Sequence, residues 1–336
     1  MRRKVRISDV AQKAGVSVTT VSQILNNKGA RFSQRTIDKV LAIRDEMGYV
    51  PDYNARSLIM GSTKTIGVIV PDLSNPFFTS FLKGIGQAAE EEQFIPLILG
   101  SEDNQKLERN YIEQLVQRSV DGMIIASPLV ERDIIDHLLK SNGIPYILID
   151  QNPVAEGDRL YTDDADGARQ AVQHLLDLGH QKIALIYSDK PTINVAYRLR
   201  GYKEALEKSG IGFDPKLVLT TPMTKEGGYQ VAQSLIDSEA TAVVTINDEV
   251  AIGLYHGLQE KGKSIPEDYS IVGYDDIDLA AYLNPTLTTV AQPVMHLGNL
   301  ALRRLVARIK DHNLADEKVK LPVKLVIRHS TKQLGR

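Results

Sequence analysis

The chain has 336 residues, 43% of them hydrophobic and 24% charged, a globular composition with room for about two domains. No apolar run reaches the roughly 18 residues that a spanning helix needs, and no apolar stretch follows the basic start Met1-Arg2-Arg3-Lys4 as a secretion signal requires. The absence of cysteine excludes disulfides, thiolate metal sites and a cysteine nucleophile. These features point to a cytoplasmic protein. The net charge of −2 is unevenly divided: residues 1–64 carry 12 Lys and Arg against 5 Asp and Glu, and the remainder carries 28 against 37. A basic head on an acidic body points to a polyanion as the head's partner. A membrane surface is a poorer match, because the head lacks a long amphipathic helix with aromatic anchors.

The head reads as three short helices. Ile7 to Gly15 opens with Ser8 as N-cap, sets Val10, Ala11 and Ala14 at helical spacing, and ends at Gly15, which can take the left-handed conformation. Ser17 can cap a second helix, VTTVSQILN, with Val21, Ile24 and Leu25 on one face. A third helix starts after Ser33, carries Ile37, Val40, Leu41, Ile43 and Met47 inward, and stops at Gly48. Two short helices joined by Gly15-Val16-Ser17 match a helix-turn-helix, whose second helix enters the DNA major groove. Its outer side is short and polar: Thr19, Thr20, Ser22, Gln23 and Asn26. Thr can touch a thymine methyl or bond a base edge, and Gln suits adenine. A generic three-helix bundle is the competing reading.

The segment PDYNARSLIMGSTKT (51–65) links head and body. Asn54 can cap a short helix and Gly61-Ser62 can end it, with the basic Arg56 and the apolar Leu58 between. From Thr65 onward strands and helices alternate. Strands are expected at 65–70, 94–99, 122–126, 145–150, 182–187, 217–219, 242–246 and 269–274. Helices are expected at 77–92, 104–118, 131–140, 164–178, 195–209, 226–236 and 248–261. Val-, Ile- and Leu-rich strands between helices indicate parallel sheets covered on both faces. Their number favours two sheets, divided by a seam near residues 151–163, with 288–290 and 319–327 crossing back between the lobes.

Nucleotide-binding and catalytic motifs are missing: no G-x-G-x-x-G after a strand, no P-loop spacing, no G-x-S-x-G elbow and no H-E-x-x-H. Asp163, Asp164 and Asp166 read as a solvated loop and helix cap rather than as a metal site. No cofactor and no enzymatic activity are expected. Ligands of doubly wound sheets bind beyond the carboxyl ends of the strands. Asn75-Pro76-Phe77-Phe78, Asp150, Arg198, Asn247-Asp248 and Asp275-Asp276 all fall there. Carboxylates, a guanidinium, an amide and aromatic faces are what a sugar needs. Asp248 and Asp276 fit helix capping better than ligand contact.

The stretches ISDVAQKAGVSVTTVSQILN and GYVPDYNARSL resemble the LacI/GalR family of bacterial transcription regulators. In the body NPFF, the Asp ending LID, RLRGY, NDEVAIG and GYDD occur in that family's order, so the resemblance covers essentially the whole chain. It implies a fold of a helix-turn-helix domain (1–50), a hinge helix (51–64) and an effector-binding and dimerisation domain (65–336) of periplasmic-binding-protein type. The lobes would take about 65–160 plus 292–320 and about 161–291 plus 321–336. It implies DNA contacts from Ser17, Val18, Thr19, Thr20, Ser22, Gln23, Asn26, Arg56 and Leu58, with Val18, Thr19 and Gln23 reading bases and Leu58 entering the minor groove as a wedge. It implies effector contacts from Asn75, Phe77, Phe78, Asp150, Arg198, Asn247 and Asp275. The expected partners are a pseudo-palindromic operator, a second copy of the chain and a small sugar or sugar phosphate.

Two departures leave specificity open: Gln23 stands where many members have Arg or another bulky polar residue, and Gln151 where ribose-type members have Arg. A purine- or other metabolite-responsive regulator, a solute receptor and a carbohydrate enzyme built on Asp150 and Asp275 remain as alternatives.

Overall fold

The computed structural model describes residues 5–26, 30–51, 61–127, 130–149 and 157–335. The chain divides into two units, Met1–Thr63 and Lys64–Arg336.

In the first unit α1 (Ile7–Ala14), α2 (Val18–Leu25) and α3 (Gln34–Met47) enclose a small core of Val10, Ala11, Ala14, Val21, Ile24 and Val40. The caps follow from local chemistry. Ser17 Oγ accepts from the Thr20 amide and Ser33 Oγ from the Thr36 amide, while Gly15 and Gly48 end their helices at φ 69° and 61°. The start of α1 departs from expectation. Arg6 holds the cap position, and the Asp9 carboxylate reaches back to accept from the Arg6 amide at 2.8 Å, so Ser8 lies inside the first turn.

The second unit runs β1 (Thr65–Val70), α4 (Pro76–Glu92), β2 (Ile95–Gly100), α5 (Gln105–Gln117), β3 (Gly122–Ile125), β4 (Tyr146–Ile149), β5 (Asp158–Thr162) and α6 (Asp164–Asp177). It continues through β6 (Ile183–Ser188), α7 (Ile193–Lys208), β7 (Val218–Thr221), α8 (Lys225–Ile236), β8 (Ala242–Thr245), α9 (Asp248–Glu260) and β9 (Ser270–Asp275). It closes with β10 (Thr288–Ala291), α10 (Val294–Lys310), β11 (Lys318–Leu321) and β12 (Lys324–Val326). One sheet has the order β11-β5-β4-β3-β1-β2, all parallel; the other has β12-β10-β9-β8-β6-β7, parallel except for β12 against β10. Central strands such as β3, β4 and β8 are buried throughout, which explains their unbroken apolar sequences.

The chain crosses between the lobes three times: from β5 to α6, from β10 to α10, and from β11 to β12. The stretch expected to cross as one segment, 319–327, is two strands parted by Pro322-Val323, one in each sheet. The Asp163 amide donates to Leu321 O at 3.0 Å, tying the first crossing to the third. Two elements go beyond the sequence expectation. β5 lies inside the presumed seam, with an alternation of buried and half-buried residues. α10 packs Val294, Leu297, Ala301, Leu302 and Leu305 into the first lobe's core. The helix expected at 131–140 is a π-turn, Ile134–Leu139, followed by a 3₁₀ turn, Lys140–Asn142. The wider turn sets Ile134 and Leu139, five residues apart, together against the core. No helix among the described residues is long and apolar enough to cross a membrane.

Candidate functional site

The face of α2 opposite the head's core carries the candidate DNA-reading side chains. Val18 is 45% exposed and is not part of the head's core; Thr19 is also exposed. Ser17 and Thr20 bond each other at 2.9 Å as part of the cap. Asn26 Nδ2 donates to Ser22 O at 2.8 Å. Gln23 Oε1 accepts from the Arg31 guanidinium, which also lies 5.0 Å from the centre of the Phe32 ring. Arg56 and Leu58 lie outside the described residues.

In the body, a buried polar ring forms where the lobes meet at the carboxyl ends of the strands. Arg198 projects from α7, and its Nε donates to Asp164 Oδ1 at 2.8 Å. Its Nη1 donates to the carbonyl of Ile246 at the end of β8 and lies 3.8 Å from Asp275 Oδ1. The guanidinium lies 3.7 Å from the centre of the Tyr274 ring, a cation–π contact. Asp275 accepts from Gln292 Nε2 at 2.7 Å, Gln292 Oε1 accepts from the Thr162 hydroxyl at 2.8 Å, and that hydroxyl lies 3.3 Å from Asp164 Oδ2. The ring closes on itself, and every member is at most 8% exposed.

Small residues make this approach possible. A Cβ on Gly201 would sit 2.0 Å from Ala165 O, so glycine in RLRGY lets α7 lie directly on α6 and brings Arg198 to Asp164. Asp275 has φ 113°, a conformation that costs a non-glycine residue about 1–3 kcal/mol and marks backbone held by its surroundings.

Two carboxylates share one guanidinium. Burial pushes both carboxyls up, against the pull of Arg198 and the hydrogen-bond donors, and Asp275 rises to about 7. Burial opposes the charge on Arg198, but Asp164, Tyr274 and Asp275 more than restore it. Such a ring can accept hydroxyl protons on its carboxylates and donate from its guanidinium and amide.

The remaining candidates fall into place around it. Asn247 is buried next to Ile246, but its Oδ1 caps α9 by accepting from the Val250 amide at 2.9 Å, leaving Nδ2 toward Met223 O at 3.4 Å. Capping thus belongs to Asn247 rather than to Asp248, whose buried carboxylate accepts from the Thr289 hydroxyl and the Ile277 amide. Asp276 pairs with Arg328 at 2.7 Å and caps no helix. Asn75 caps α4 through the Phe77 amide at 2.9 Å. Phe77 is half-buried and meets Phe78 edge-on at 5.1 Å. Phe78 itself, 5% exposed, belongs to the core of the first lobe rather than to an open ligand face. Asp150 lies outside the described residues. Asp164, Thr162 and Gln292 were not among the sequence candidates; Asp164 had been assigned to a solvated cap, a role that Asp163 fills by accepting from the Asp166 amide at 3.2 Å. No cluster with metal-ligand character occurs among the described residues.

Comparison with known proteins agrees with this anatomy. Residues 6–52 match the family described as bacterial regulatory proteins, lacI family, and residues 63–329 match periplasmic binding proteins and sugar binding domain of LacI family. The HTH-type transcriptional regulator DegA of Bacillus subtilis is 37% identical over 336 residues, 99% of each chain. A LacI family regulator from Enterococcus faecium, solved with bound ribose, is 43% identical and superposes with a TM-score of 0.76 over 81% of this chain and all of the other. The Lac repressor dimer bound to operator and the anti-inducer ONPF is 27% identical, with a TM-score of 0.88 over 98% of this chain and all of the other. The chain belongs to the LacI family: it is a DNA-binding transcriptional regulator with a sugar-binding-type body, and not an enzyme.

Proposed function

We propose that the protein is a cytoplasmic repressor of a carbohydrate-utilisation operon, a dimer that binds a pseudo-palindromic operator and is controlled by a small sugar held between its lobes. The observation that carries this reading is the buried ring of Thr162, Asp164, Arg198, Asp275 and Gln292 at the strand ends. It offers both acceptors and donors to a polyhydroxylated ligand, and its members sit next to two of the three lobe crossings. The relative solved with ribose supports a sugar as the ligand. Asn247, Phe77 and Asp150 complete the effector contacts in this reading, with Asn75 shaping the start of α4.

On the DNA side Val18, Thr19 and Gln23 read bases. Ser17, Thr20, Ser22 and Asn26 position α2 and touch the backbone, and Arg56 and Leu58 of the linker engage the minor groove, Leu58 as a wedge. A ligand that favours one arrangement of the lobes shifts operator affinity by its differential affinity for the two states.

The test is fluorescence anisotropy with a labelled palindrome from the gene's neighbourhood, at fixed salt because operator affinity is salt-dependent, against a panel of sugars. Release by one sugar identifies an inducer and tightening identifies a corepressor. Operator binding that no sugar alters would overturn the sugar reading.

A further inference from the structure

We infer that Arg328, in the segment that follows β12, is a positioning residue of the effector site: it pins the turn after β9 and thereby holds Asp275 in the buried ring. The inference rests on the reading of the strand-end cleft as the effector site.

Asp275 and Asp276 have φ of 113° and 57° in succession. Together they fold the chain back over the sheet, where the Ile277 amide donates to Asp248 at 2.9 Å and Asp248 in turn accepts from Thr289 of β10. Aspartate tolerates φ of about 50–70°, but the value at Asp275 lies well beyond that, so the turn persists only where its surroundings fix it. Gln292 Nε2 fixes the Asp275 carboxylate at 2.7 Å, and Arg328 Nη2 fixes Asp276 Oδ1 at 2.7 Å. Gln292 follows β10 and Asp248 starts α9, whereas Arg328 reaches the turn from beyond β12.

The fold brings Arg328 there. β12 runs antiparallel to β10, which sets the residues after it alongside the start of β10. The Arg328 amide donates to Thr288 Oγ1 at 2.9 Å, and its Nη1 donates to Leu287 O at 2.8 Å. With one nitrogen on Leu287 and another on Asp276, the guanidinium fork ties the entry of β10 to the turn after β9. A point charge on a flexible stem does not reproduce such a grip. The pair is sheltered, with side chains 20% and 24% exposed, so solvent and salt screen it less than an open surface pair.

The Arg328 side chain is not what holds its own segment down. Ser330 O accepts from the Ile271 amide at 2.8 Å, the Lys332 amide donates to Ser270 Oγ at 3.1 Å, and the Leu334 amide donates to Leu178 O at 2.8 Å. Shortening Arg328 leaves these contacts in place and frees the turn.

The experiment uses the full chain, with hydrogen–deuterium exchange of the ligand-free protein and calorimetry with ribose. Arg328→Gln is expected to speed exchange at 276–277 roughly tenfold while 330–334 keep their protection. Asp276→Asn breaks the same pair from the other side, so it should match Arg328→Gln, and the double variant should add nothing to either. Arg328→Lys should fall between. Ribose affinity should drop roughly tenfold in Arg328→Gln and Asp276→Asn, with operator affinity in the absence of sugar unchanged. Additive effects, loosening confined to 330–334, or full ribose affinity with a loosened turn would each overturn the inference. Asp275→Asn is the control for the site: if it leaves ribose affinity untouched, the cleft reading falls and the inference with it; if it weakens ribose while Arg328→Gln does not, the inference alone falls. If ribose does not bind the wild type, a crystal structure of Arg328→Gln decides. An Asp275 carboxylate moved away from Gln292 and Arg198 supports the inference, and an unmoved one removes it.

Discussion

The hydroxyl of Thr162 donates to the amide oxygen of Gln292 at 2.8 Å, although the two residues are 130 positions apart. Each stands at a different crossing between the lobes, and Gln292 passes the connection on to Asp275 through its Nε2 at 2.7 Å. In the proposed reading, a ligand that engages Asp275 would therefore act directly on two of the segments that join the lobes.

Gln292→Leu removes both halves of that link. A buried carboxylate loses a donor, worth about 1.5–3 kcal/mol for a hydrogen bond to a charged group. Sugar affinity is expected to fall roughly tenfold to a hundredfold, while operator affinity without sugar stays close to wild type. Calorimetry with ribose and anisotropy with the operator separate the two effects. An unchanged sugar affinity would show that the link is not part of ligand recognition.

Sugar binding should depend on pH near neutrality. Burial raises the Asp275 carboxyl to about 7, with Arg198 and Gln292 pulling it down and Asp164 and Glu249 pushing it up. Hydroxyl donors stabilise the ionised form, so the complex holds the carboxyl below its ligand-free value and binding releases protons. Affinity is then full above about pH 7 and weakens as pH falls below it, by up to about 1.4 kcal/mol per unit for one proton. Calorimetry at pH 7 in buffers of different ionisation enthalpy reads this directly. Zero proton release, or release replaced by uptake, would contradict it.

Local signals in the sequence proved sufficient for some of these features. Ser17, Ser33, Gly15 and Gly48 mark helix ends through chemistry confined to one turn, and the structure uses all four. Ser8 misled because the Asp9 carboxylate closes the turn from inside and lets the helix begin earlier. The two ring members named from the sequence had different marks: Asp275 ends a strand, and Arg198, inside α7, stands in the resembled stretch RLRGY. Asp164 was not legible: within DDAD it is one carboxylate among several at a helix start, and only Arg198, 34 residues away, singles it out. Thr162 and Gln292 carry no local mark at all, since their importance comes from which strands the crossings bring together. α10 had a readable pattern, Val294, Leu297, Ala301, Leu302 and Leu305, interleaved with the exposed Arg303 and with Arg304, which is half-buried against Asp158.

Asp275→Asn is expected to stabilise the ligand-free protein. A carboxyl whose folded value lies above its ordinary range favours the protonated form in the fold. Its cost is present above about pH 7, where it is ionised, and disappears as pH falls toward 4. Asn avoids that cost and tolerates the positive φ of this position better than most residues. The melting temperature of Asp275→Asn should therefore exceed that of wild type at pH 8, by a margin that shrinks at pH 5. A lower melting temperature at pH 8 would mean that the Asp275–Arg198 attraction outweighs burial.

The Arg31–Gln23 contact makes a prediction about the operator. A glutamine that reads adenine needs its amide oxygen to accept from the base's amino group while Nε2 donates to N7. In this head Arg31 already takes one of the two acceptor positions of that oxygen. Apart from the second lone pair of that oxygen, the pair has Nε2 of Gln23 and the spare N–H groups of Arg31 to offer, so donors predominate. Two donors side by side match the O6 and N7 acceptors of guanine. Selection from random DNA should return guanine opposite Gln23 for the wild type. Arg31→Ala frees the amide oxygen and should shift the preference at that one position toward adenine, with a change of about 1–3 kcal/mol in discrimination and little change elsewhere in the site. Identical preferences for the two proteins would show that Arg31 releases Gln23 when the head meets DNA.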